Sequence, residues 1–157
     1  MSGTDTERLV TYRVAGELYA VDVACVERVI RYVPARAVPQ LPSWLDGVIE
    51  HDGRIVPVVD LRRRLSDQHA PLGAKARMLL VRVGDERCAA VVDQVLDVRA
   101  YDEASRTAAP SLVRGRAGGF VRGVVTREGA LVLILDVVGL LSGDERDTLL
   151  AVGSLNG

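Results

Sequence analysis

The chain has 157 residues, 48% of them hydrophobic and 26% charged, the composition of one globular domain or of two very small units sharing a core. Its 20 basic and 21 acidic residues leave a formal net charge of −1, so no basic excess is present to neutralise a run of phosphates, which argues against a nucleic-acid partner. Aromatics make up only 4%, so the core must be aliphatic, and Arg, Asp and Glu interrupt every apolar run before it reaches the length of a membrane span. The first residues, MSGTDTER, contain no apolar signal region, and the expectation is a cytoplasmic protein without direct membrane insertion.

In chain order, Leu9–Val14 and Leu18–Val23 flank the turn residues Ala15-Gly16-Glu17, a hairpin signature. A short helical turn is expected at Ala24–Val29. Val48–Glu50 and Arg54–Val59 flank Asp52-Gly53, among the strongest short-range hairpin signals. Pro57 cannot donate to a ladder, so it is expected at an edge or a bulge. A second helical turn is expected at Leu61–Leu65, followed by a Pro/Gly/Ala-rich linker over 66–76. Met78–Val83 and Cys88–Val92 flank Gly84–Arg87 as another hairpin, and Glu128-Gly129 forms a further turn. From Ser142, SGDERDTLLAV has a Ser cap and an acidic first turn, which predicts a C-terminal helix in the 144–157 tail.

The chain repeats itself. GVIEHDGRIVPVVDLRRRLS from Gly47 matches GVVTREGALVLILDVVGLLS from Gly123 at an offset of 76 (123 − 47). RLVTYRVAGELYAVDVACVERV from Arg8 matches RMLLVRVGDERCAAVVDQVLDV from Arg77 at an offset of 69 (77 − 8). The chain therefore reads as a single domain over 8–143 built from two copies of one unit, 8–68 and 77–143, each expected to form its own small barrel. Many short strands without long periodic helices argue for small antiparallel barrels or sandwiches.

Catalysis needs convergent groups, and few are present. His51 and His69 lie in polar stretches without paired ligand spacing and read as solvated surface histidines, so no metal is expected. Asp60 and Asp136 occupy equivalent positions at strand ends, which argues for turn or helix-cap roles over acid/base work, and Asp93 reads the same way. RGRAGG at 114–119 lacks the Lys of a phosphate loop and reads as a flexible loop, so no cofactor is expected. Arg62-Arg63-Arg64 reads as a solvated face. Cys25 and Cys88 read as small buried hydrophobes rather than a disulfide. No enzyme emerges; what remains is binding.

Three segments carry a resemblance: VERVI, GVIEHDGRIVPVVDLR and VDQVLDV, in that order and spacing over about residues 9–143. Together they resemble the CheW family of chemotaxis coupling proteins. The resemblance implies two small five-stranded, SH3-like β-barrels packed together, a mainly β fold with short helical turns. It also implies a non-catalytic adaptor that couples the cytoplasmic tips of chemoreceptors to the regulatory domain of a CheA-type histidine kinase, with other CheW-like proteins as further partners, and a monomer in isolation. The alternative is a divergent CheW-like accessory scaffold that binds receptors or competes with the main coupler without binding the kinase. Val26, Gly47, Val95 and Val98 match family positions lining the receptor-facing groove. At two other family interaction positions the charges are exchanged: Arg28 stands where the pattern has Glu, and Asp52 where it has Arg. The double exchange predicts an ion pair of reversed polarity between Arg28 and Asp52.

Overall fold

The computed structural model describes residues 6–41, 45–66, 70–108 and 120–141. The expected C-terminal helix, the loop at 114–119 and His69 lie outside them. Ten strands form: β1 (Thr6–Val14), β2 (Glu17–Asp22), β3 (Val26–Arg31), β4 (Gly47–His51), β5 (Arg54–Asp60), β6 (Arg77–Val83), β7 (Glu86–Val92), β8 (Gln94–Asp102), β9 (Val121–Arg127) and β10 (Ala130–Leu135). Two short helices follow β5 and β10: α1 (Leu61–Leu65) and α2 (Val137–Leu140).

The turns are where the sequence places them. Asp52 and Glu128 both have φ 51°, followed by Gly53 at 75° and Gly129 at 83°, the left-handed pair that a two-residue hairpin turn requires. The helical turn expected at Ala24–Val29 is shorter than predicted. A 3-10 turn covers Val23–Cys25, capped by the Asp22 carboxylate accepting from the Ala24 N–H, and the chain then extends as β3. The β-branched residues Val26, Val29 and Ile30 gain more from pairing with β6 than from a helix.

The strands make two five-stranded sheets. Sheet A has the order β8-β1-β2-β10-β9, and sheet B the order β3-β6-β7-β5-β4. The repeats are thus exchanged: units 8–68 and 77–143 do not each build one sheet. Each gives its first hairpin to one sheet and its last three strands to the other. The junctions are parallel pairings, β10 with β2 and β5 with β7, which an all-antiparallel expectation omits.

Pro57 lies in β5, an interior strand, and not at an edge or bulge. Its partner Val48 turns both its N–H and its carbonyl away from β5, to Arg36 at 2.9 and 2.8 Å, so no bond is missing on that side. The parallel ladder to β7 starts only at Val58, so none is missing on the other.

Alternation along the strands fills three apolar regions. Val10, Tyr12 and Val14 of β1, Leu79, Val81 and Val83 of β6 and Cys88, Ala90 and Val92 of β7 meet in a central core between the sheets. Met78, Leu80, Ala89 and Val91 form a second cluster on the other face of sheet B, and Leu9, Ala20, Tyr101, Val125, Val132 and Ile134 form a third on sheet A. Both faces of β6 and β7 are therefore covered, which is why they read as nearly continuous apolar runs. Full burial of each Val or Leu is worth about 1.5–3 kcal/mol.

The edge strands of each sheet do not pair with each other, but an isolated bridge links the chain beyond one edge strand to the other. The chain running on from β3 bridges β4 through Arg36 and Val48, and the chain running on from β8 bridges β9 through Thr107 and Val124. Asp60 and Asp136 cap the helices that follow, accepting from the N–H of Arg62 at 2.9 Å and of Gly139 at 2.8 Å, the role expected of them.

Candidate functional site

The seam between β3 and β4 gathers the charges singled out in the sequence. β3 carries a bulge between Val26 and Arg28, and β8 carries one between Val95 and Asp97, the same place in the repeat. The extra residue in β3 is Glu27. Its carboxylate accepts from Arg87 at 3.0 Å through both Nε and Nη2 and lies 3.8 Å from Arg82. A small cleft beside this cluster is lined by Glu27, Arg28, His51, Asp52, Leu80 and Arg87.

The structure brings Arg28 and Asp52 to that one cleft, but the expected ion pair between them is not formed. Asp52 instead faces the neighbouring His51, 3.4 Å from Nε2. The bulge hands the Arg87 contact to Glu27, while Arg28 and Asp52 remain exposed. His51 is not a freely solvated histidine, since its side chain is only 19% exposed.

The second repeat makes the closure that the first leaves unmade. Asp97 corresponds to Arg28 at the 69-residue offset, and Arg127 and Glu128 correspond to His51 and Asp52 at the 76-residue offset. There the Arg127 guanidinium donates to both Asp97 oxygens, at 2.8 and 2.7 Å, and Arg99 joins Asp97 to Glu128 at 3.5 and 3.6 Å. Charge-assisted bonds to both carboxylate oxygens hold Arg127 in place and raise its pKa. Sequence reading missed both the Glu27 cluster and this lock. The repeat alignment already set Asp97 against Arg28 and Arg127 against His51, and it was the available signal.

The remaining candidates divide by burial. Val26 and Val95 are half-buried against the central core. Val98 is 46% exposed. Gly47 is buried at φ 140°, and a Cβ there would be driven into the Arg36 carbonyl, so its glycine is required by the close passage of the chain that joins β3 to β4.

Arg62 overturns the reading of 62–64 as a solvated face. It is 6% exposed, and its guanidinium donates to Asp60 at 2.7–3.2 Å and to the Ala70 carbonyl, with Asp93 at 3.9 Å. The Asp60 bonds raise its pKa against the opposing effect of burial. Asp93 does not cap its own strand end; it accepts from the Ala15 N–H at 2.7 Å in the β1–β2 turn. Through Asp93 the buried Arg62 of α1, which follows β5 of sheet B, is linked to the β1–β2 turn of sheet A. Arg63 pairs with Asp46. Both cysteines are free; burial pushes the Cys88 thiol up to about 12 and raises that of Cys25.

Among the described residues no group of His, Cys, Asp or Glu is arranged to hold a metal ion, and no helix is long and apolar enough to cross a membrane. What the described residues present is two packed β-sheets with charged clusters along their edge strands. The sequence matches the model of the CheW-like domain family over residues 8–145, and the chain belongs to that family. It is similar to the chemotaxis protein CheW of Treponema pallidum, with 24% identity over 90% of this chain and 86% of the relative. It is also similar to the CheW of Bacillus subtilis, with 27% identity over 86% of each. The crystal structure of the scaffolding protein TtCheW from Thermoanaerobacter tengcongensis superposes with a TM-score of 0.79 at 25% identity, covering 90% of this chain and 91% of that one. The protein is a non-catalytic chemotaxis coupling adaptor, not an enzyme.

Proposed function

We propose that this adaptor works in the cytoplasm, joining the cytoplasmic tip of a chemoreceptor to the regulatory domain of a CheA-type histidine kinase. Alone it is a monomer, with further CheW-like proteins as array neighbours. The observation that supports this most is the difference between the two seams: Asp97–Arg127 locks that of sheet A, while Arg28 and Asp52 stand exposed and unpaired with each other at that of sheet B. An exposed ion pair contributes about 0.2–1 kcal/mol, so leaving it unmade costs the fold little. Charges so placed act on the choice of partner, because like charges across a contact exclude the wrong one. In this reading Arg28, Asp52 and Val98 touch partners, while Val26, Gly47 and Val95 hold the backbone beneath them.

Calorimetric titration with the kinase regulatory domain and with a receptor-tip fragment from the same genome tests the proposal. Binding to both is expected. Binding to the receptor alone would make the protein an accessory scaffold, and binding to neither by the folded protein would refute the coupling role.

A further inference from the structure

On sheet B, Arg31 of β3 lies directly opposite Arg77 of β6. Like charges in that position destabilise a sheet. The internal repeat provides the reference: the corresponding pair on sheet A is Ala100 opposite Arg8, a single cation. The second arginine is therefore peculiar to sheet B and is not demanded by the fold.

The pair borders an open cleft of about 380 Å³ lined by Arg31, Tyr32, Gly73, Ala74, Ala76 and Arg77, with no carboxylate among them. Arg77 donates its Nη1 to the carbonyls of Ala74 at 3.2 Å and Ala76 at 2.8 Å, which fixes the guanidinium against the turn. Arg31 is exposed, and Lys75 is exposed in the same turn. Elsewhere the chain matches its well-placed arginines to carboxylates: Arg62 to Asp60, Arg63 to Asp46, Arg87 to Glu27 and Arg127 to Asp97. Here two arginines face each other without one among the described residues.

We propose that this cleft binds an acidic segment of a partner protein, its carboxylates set against Arg31 and Arg77 and its backbone lying along Tyr32 and the small residues of the 73–76 turn. Charge complementarity names the partner's chemistry. The site rests on the adaptor reading in requiring a protein partner, but a synthetic peptide reports on it without receptor or kinase.

The test is fluorescence anisotropy of a short labelled glutamate-rich peptide with the full chain and two variants that remove equal charge. Arg31→Ala copies the arrangement of Ala100 on sheet A, and Arg8→Ala removes the single cation there. The wild type is expected to bind saturably, more weakly as salt rises. Arg31→Ala should bind about tenfold more weakly while melting no lower than the wild type, and Arg8→Ala should bind like the wild type. Inorganic phosphate at matched ionic strength should not displace the peptide. Three results would each overturn the proposal: no saturable binding at low salt, equal losses in both variants, or displacement by phosphate alone. If the kinase and receptor titrations fail while the Arg31 effect holds, the coupling role falls and the cleft stands; the opposite pattern removes the cleft and keeps the adaptor.

Discussion

Replacing Arg62 with methionine keeps most of the side chain's volume and removes its charge. In the wild type the guanidinium satisfies both Asp60 oxygens and the Ala70 carbonyl in a site where the two side chains are only 8% and 10% exposed. Arg62→Met leaves the Asp60 carboxylate buried with the residue-62 backbone N–H as its remaining donor. Breaking a buried pair from one side costs about 3–5 kcal/mol, because the surviving charge is uncompensated. With a urea m-value of about 1–3 kcal/mol/M, the unfolding midpoint should fall by about 2 M. Adding Asp60→Asn removes the stranded charge and keeps a good helix cap, so the double variant should recover at least half of the loss. Urea unfolding followed by circular dichroism checks both. A loss below about 1 kcal/mol in Arg62→Met, or a double variant less stable than the single, would refute the claim that this pair bears on the junction between the sheets.

Gly47→Ala should destabilise by about 2 kcal/mol or more, since it forces a strained φ and pushes the Arg36 strand off β4; loss of amide protection at Val48 in hydrogen exchange is the accompanying sign. Burial raises the Cys88 thiol to about 12, so it stays protonated in the folded state while the unfolded thiol ionises near the ordinary thiol value of about 9. The unfolded state then binds fewer protons, so this group's contribution falls between pH 9 and 12, by about 1 kcal/mol per pH unit. Comparing wild type with Cys88→Ala across that range isolates the slope, and equal slopes would count against it. Arg28→Glu combined with Asp52→Arg should lower the unfolding free energy by no more than about 1 kcal/mol, the cost of Arg at the left-handed residue 52, while changing which receptor or kinase fragments bind; unchanged affinity for every partner would sink the specificity idea.

What could be read from the sequence was local. Asp52-Gly53 and Glu128-Gly129 turn where they do because left-handed φ values suit few residues, and alternate residues separate because a strand's side chains point to opposite faces. The caps Asp60 and Asp136 were legible for the same reason: a carboxylate reaches an N–H two or three residues on without help from the rest of the fold. Arg62 was not legible, because its burial depends on Ala70, Asp93 and the second sheet closing over it. Nor was Arg87, which reaches Glu27 across an intervening strand from 60 residues away.

The sequence by itself determined the mainly β fold, the duplication and the membership in a family of coupling adaptors. Only the tertiary structure decided that the copies exchange hairpins, that Arg28 and Asp52 share a cleft without bonding, and that Arg31 meets Arg77. The physical reason is degeneracy. Both copies carry the same alternation and the same edges, so the β1–β2 hairpin could join strands of its own unit or of the other without changing any local pattern. Long-range pairing makes that choice, and it also fixes which charges on distant strands come to face one another.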